Sequence, residues 1–89
     1  MTTMQERLNN LEMAQETICF AIATYAEAIR DEQEKPTPDE KKIARFRGEM
    51  KKFEDEMHDL RLNDDVGVQN AIEKYTLFLK KTANGIDGA

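Results

Sequence analysis

A chain of 89 residues suits one small domain, and a domain of that size buries only about 60–65% of the surface its unfolded chain exposes. Hydrophobic residues make up 39% and charged residues 35%, too apolar for a disordered chain and suited to helices with broad solvated faces. The net charge of −5 argues against a surface that is phosphate-binding throughout, and the single cysteine, Cys19, excludes an internal disulfide and fits a reducing, cytoplasmic compartment.

The first residues, MTTMQERLNN, hold no basic stretch followed by an apolar core, so a secretory signal is not expected. No apolar run approaches the length of a membrane span, so no membrane partner is expected either. Met4, Leu8, Leu11, Ile18, Ile22, Tyr25 and Ile29 then recur at steps of four and three, with one gap at Gln15. That spacing predicts a long amphipathic helix over about 3–34. Within it, Ile18 to Ala23 is apolar on every side, which predicts cover from more than one neighbouring helix.

The stretch EKPTPDEKK, residues 34–42, breaks the pattern. Pro36 disfavours a helical Lys35 and ends the first helix. Thr37 is expected to cap the next helix, with Pro38 at its first position and Glu40 completing a capping box. A second helix over about 38–62 follows, carrying the stripe Ile43, Phe46, Met50, Phe53, Met57 and Leu60 without a miss. Gly48 falls opposite that stripe. RLNDDVGV makes the second break, and Asn63, Asp64 or Asp65 is expected to cap a third helix over about 66–83, with the stripe Val68, Ile72, Tyr75 and Leu79. Lys80 and Lys81 suit its last turn, Gly85 suits a left-handed position beyond it, and 84–89 is expected to be a loose tail.

A connection as short as KPTP predicts that the first two helices run antiparallel as neighbours. The acidic end of the first (Glu27, Asp31, Glu32, Glu34) then lies beside the basic start of the second (Lys41, Lys42, Arg45, Arg47, Lys51, Lys52), in exposed pairs worth about 0–1 kcal/mol each. Counting outward from the loop sets Ile29 near Ile43, Ile22 near Met50, Ile18 near Phe53 and Leu11 near Leu60. The predicted fold is therefore all-α: one domain built of a long antiparallel hairpin and a shorter third helix. Spare apolar surface on the hairpin predicts a homodimeric bundle, with Ile18, Phe20, Ile22, Phe46, Met50, Phe53, Met57 and Leu60 as the candidate interface.

Chemistry is sparse. His58 is the one histidine, and DEMH sets Asp55 three residues before it, a spacing used by carboxylate-bridged metal bundles. Asp55 falls nearly opposite the apolar stripe, so no metal site is expected. Cys19 has no cation within a turn and is expected to be a buried, inert thiol. None of the four glycines, Gly48, Gly67, Gly85 and Gly88, builds a phosphate-cradling loop, and NDDVG has too few ligands for a calcium loop. No catalytic residue and no cofactor is expected. The composition points to a non-enzymatic regulator, adaptor or inhibitor that binds another protein. The alternatives are a secretion- or assembly-type chaperone for a helical client and a nucleic-acid-linked regulator using the basic part of the second helix, Lys41 to Lys52. The acidic run Glu54, Asp55, Glu56, Asp59, Asp64 and Asp65 could instead meet a basic groove on a partner.

Overall fold

The computed structural model describes residues 3–86. Three helices form: α1 (Met4–Gln33), α2 (Glu40–Asp59) and α3 (Asp65–Lys81), with no strand among the described residues. α1 starts where Thr3 accepts the Glu6 N–H at 3.1 Å, satisfying one of the first-turn donors that have no partner within the helix. At about 1.5 Å per residue its 30 residues reach about 45 Å, against about 30 Å for α2.

The second helix begins two residues later than the proline pattern predicts. Asp39, not Thr37, is the cap, and its carboxylate accepts from the N–H groups of Lys41 and Lys42 at 3.1 and 3.2 Å. Pro38 therefore precedes the cap rather than opening the helix. A charged cap at Asp39 complements the helix dipole, and the Asp39 N–H, which has no partner within the helix, bonds Glu32 of α1 at 3.1 Å. The far end also differs from expectation. α2 stops at Asp59, and Leu60 is extended (φ −63°, ψ 138°) in the turn, where Arg61 donates to the carbonyls of His58 and Leu60. α3 is capped by Asp64, one of the three predicted candidates, which accepts the Gly67 N–H at 2.9 Å. A Cβ on Gly67 would collide with that carboxylate as placed, so a larger residue there requires the Asp64 side chain to shift. Gly85 takes a positive φ of 105° beyond the end of α3.

α1 packs against both α2 and α3. α2 runs back along it, as the short connection requires. α3 runs parallel to α1: Asp65 at its start pairs with Arg7 at 3.4 Å, and Phe78 near its end lies 5.6 Å, ring to ring, from Tyr25. The core is a chain of rings. Tyr25 meets Phe46 at 5.5 Å and Phe53 at 5.4 Å, while Phe53 meets Tyr75 at 4.9 Å and Phe78 at 5.2 Å in edge-to-face geometry. Ile18, Ala21, Ile29 and Ile43 complete the cluster. Ile86 also packs against it, so the expected loose tail is anchored up to that residue, while residues 87–89 lie outside the described residues.

The buried line on α1 is Ala14, Ile18, Ala21, Tyr25, Ile29 and Glu32. It passes one residue before the predicted gap, so Ala14 takes the inward place and Gln15 is exposed. Gly48 sits on the open side of α2, where an added Cβ meets nothing within 4 Å. Gly48→Ala is expected to stabilise the fold by up to about 1 kcal/mol, read from the urea midpoint.

Candidate functional site

Two carboxylates are placed with unusual care, and both fasten elements together. Glu32 is the one buried charged residue among those described. One oxygen accepts from Lys35 Nζ at 2.9 Å and lies 3.4 Å from Lys42 Nζ; the other accepts the Asp39 N–H. This corrects the expectation of exposed pairs along the α1–α2 seam. Glu32 follows Ile18 and Tyr25 by whole heptads, so its spacing already put it on the core line. The bond from Lys35, with those from Asp39 and Lys42, outweighs desolvation and holds its carboxyl at about 2, against an ordinary value of 4.5.

A carboxylate depressed in the folded state contributes stability that is present above its unfolded value and is lost as pH falls through its folded value. Glu32 is therefore expected to stabilise the fold fully above about pH 4.5 and to lose that contribution on the way down to about pH 2. Urea midpoints across that window should flatten in Glu32→Gln, and its melting temperature at neutral pH should fall below that of the wild type. Identical pH slopes for the two proteins would contradict this role.

Glu56 ties α2 to α3. It accepts from Lys74 Nζ at 2.6 Å and from the hydroxyl of the fully buried Tyr75. Burial pushes Glu56 up, but the bonds from Lys74 and Tyr75 prevail and lower it. Burial and the adjacent carboxylate keep the Tyr75 hydroxyl protonated well above its usual range. Each cluster fastens elements together: Glu32 joins the end of α1 to the start of α2, and Glu56 joins α2 to α3.

The residues singled out for chemistry remain apart. His58 is exposed at the end of α2, and Asp55 is exposed and pairs with Lys51 at 3.0 Å. No group of three or more His, Cys, Asp and Glu residues able to hold a metal ion occurs among the described residues. Cys19 is exposed rather than buried, with its Sγ 3.7 Å from Met57 Sδ. The reason is angular: with Ile18 and Ala21 at the centre of the buried line, residues 19, 20 and 23 turn outward.

That rotation decides the fate of the candidate interface. Ile18, Phe46 and Phe53 are buried within the single chain, while Ile22, Met50, Met57 and Leu60 are half-buried against the same core. Phe20 alone among the eight is exposed, at 65%. The chain has six Phe and Tyr residues, and the other five form the ring cluster. Around Phe20 the surface of α1 forms a shallow depression of about 450 Å³ lined by Glu12, Gln15, Glu16, Cys19, Phe20 and Ala23. Met13, two turns before Phe20 on the same side of the helix, is 52% exposed. A larger groove of about 710 Å³ opens between the C-terminal ends of α1 and α3, with Ala28, Phe46, Leu79 and Ile86 among its walls and Glu32 and Lys42 at its edge. No helix among the described residues is long and apolar enough to cross a membrane.

No family model matches the chain, and comparison with curated proteins and with solved structures likewise finds no match.

Proposed function

We propose that this chain is a non-enzymatic interaction protein that binds another protein through the outer face of α1. The observation that carries the reading is Phe20: it is the one aromatic outside the ring cluster, and it stands 65% exposed in mid-helix where nothing in the local fold requires it. A lone exposed Phe is commonplace. Here it lies beside Cys19 and Ala23 in one depression, with exposed Met13 two turns away, and aromatic and Met side chains are enriched at protein interfaces.

The placement of the cations favours a protein partner over nucleic acid. Lys42 faces Glu32, Lys51 pairs with Asp55, Lys52 pairs with Glu49, and Arg45 lies over the Phe46 ring. With Lys42, Lys51 and Lys52 set against carboxylates, this run offers phosphates less free charge than its composition suggests. A cytoplasmic setting, consistent with one free thiol, belongs to the same proposal.

Affinity capture from the native host with the wild-type chain and with Phe20→Ser, side by side, tests the reading. A partner retained by the first and lost by the second, with the helical spectrum unchanged, supports it. Capture that is indifferent to Phe20→Ser removes the outer face of α1 from the account.

A further inference from the structure

The charge around Phe20 narrows the kind of partner. Residues 8–29 of α1 contain Glu12, Glu16 and Glu27 and no Lys, Arg or His. The nearest cation before them, Arg7, is drawn to Asp65 of α3. Glu12 and Glu16 stand one helical turn apart and line the depression beside Phe20, with Cys19 and Ala23 completing its apolar surface. The patch is therefore a strip of apolar surface whose polar rim, Glu12, Gln15 and Glu16, holds carboxylates and no cation.

We infer that the ligand of this face is a basic amphipathic helix of another protein, its apolar side seated on Phe20 and its Lys or Arg residues set against Glu12 and Glu16. This rests on the reading above that the outer face of α1 binds protein. Helices laid along an apolar strip are a recurrent mode of recognition, and complementary rim charges fix register and reject wrong partners. A second copy of the chain is the wrong partner on these grounds. Symmetric pairing of two such faces lines one seam with Glu12, Glu16 and Glu27 from both copies and supplies no cation to offset them, in a molecule that already carries a net charge of −5. Anionic lipid and nucleic acid are repelled by the same carboxylates.

The test uses two labelled model peptides of about 18 residues, roughly five helical turns. One places Leu on one face and Lys on the other; its counterpart has Glu in place of Lys. Fluorescence anisotropy is followed for the wild-type chain, Phe20→Ser, the double variant Glu12→Lys/Glu16→Lys, and Glu40→Lys/Glu73→Lys, which makes the same change in net charge on α2 and α3. The Leu–Lys peptide should bind the wild type, weaken with salt, and lose about tenfold or more in affinity both in Phe20→Ser and in Glu12→Lys/Glu16→Lys. Glu40→Lys/Glu73→Lys should retain most of the binding. Equal loss in the two charge variants would mean that net charge alone is sensed and would overturn the inference. So would equal binding of the Leu–Glu peptide, or no binding of either peptide. Concentration-dependent self-association of the wild type that Phe20→Ser abolishes would also overturn it, making a second copy the occupant, while the reading of this face as a protein-binding surface would survive.

Discussion

Phe53→Ala is expected to remove most of the chain's stability and leave it close to its unfolding midpoint at 25 °C, whereas Phe20→Ala should change its stability by no more than about 0.5 kcal/mol. The two residues share a side chain and differ in surroundings. Phe53 is 8% exposed and its ring touches those of Tyr25, Tyr75 and Phe78, which come from α1 and α3. Truncating it removes a ring that joins α2 to both α1 and α3, and leaves a hole that Tyr75, tethered to Glu56, is poorly placed to fill. Such truncations cost about 3–5 kcal/mol. A chain of 89 residues has about 4–13 kcal/mol in total, and so small a domain, with one cysteine and no internal disulfide, belongs near the lower end. Urea unfolding followed by circular dichroism distinguishes the pair. If Phe20→Ala proves as damaging as Phe53→Ala, Phe20 is covered in solution, and the ring cluster within one chain is not the whole core.

The architecture was legible because its signals were redundant. Phe46, Phe53, Tyr25 and Tyr75 each fell on an apolar stripe with helical spacing, and each is buried. The short connection after Pro36 required an antiparallel neighbour whatever the details of its cap. Those details were not legible, because TPDE offers Thr37 and Asp39 as competing caps. What separates them is a tertiary contact, the Asp39 N–H on Glu32, that no local pattern contains. Glu32 itself was hidden by composition: in a run of acids it resembles its solvated neighbours, and only its heptad distance from Ile18 and Tyr25 marks it as inward. The candidate interface shows a further limit. A list of apolar stripe residues does not say which of them the chain's own third helix will cover, and Phe20 stood out only once α3 had enclosed its share of the ring cluster.

Ala21→Leu is expected to destabilise the fold by about 1–3 kcal/mol, while Ala23→Leu, two positions along the same helix, should be within about 0.5 kcal/mol of wild type. Hydrophobicity alone predicts no difference, since the substitution is the same and both sites lie in the segment that is apolar all round. Geometry decides otherwise. Ala21 has no exposed surface and lies in the core cluster with Ile18, Tyr25, Phe53 and Tyr75, so three added carbons have no space that is not already filled. Interiors packed to crystalline density respond to such additions by forcing side chains off their rotamers or moving the backbone. Ala23 is exposed at the edge of the Phe20 depression and takes the same carbons into solvent. The comparison also fixes the rotation of α1, on which the outward placement of Phe20 depends. Thermal melts of the two variants should separate by several degrees, with Ala21→Leu the lower. Equal melts, or the opposite order, would mean that α1 is turned about its axis relative to this arrangement, with residues 20 and 23 inside and the proposed binding face buried.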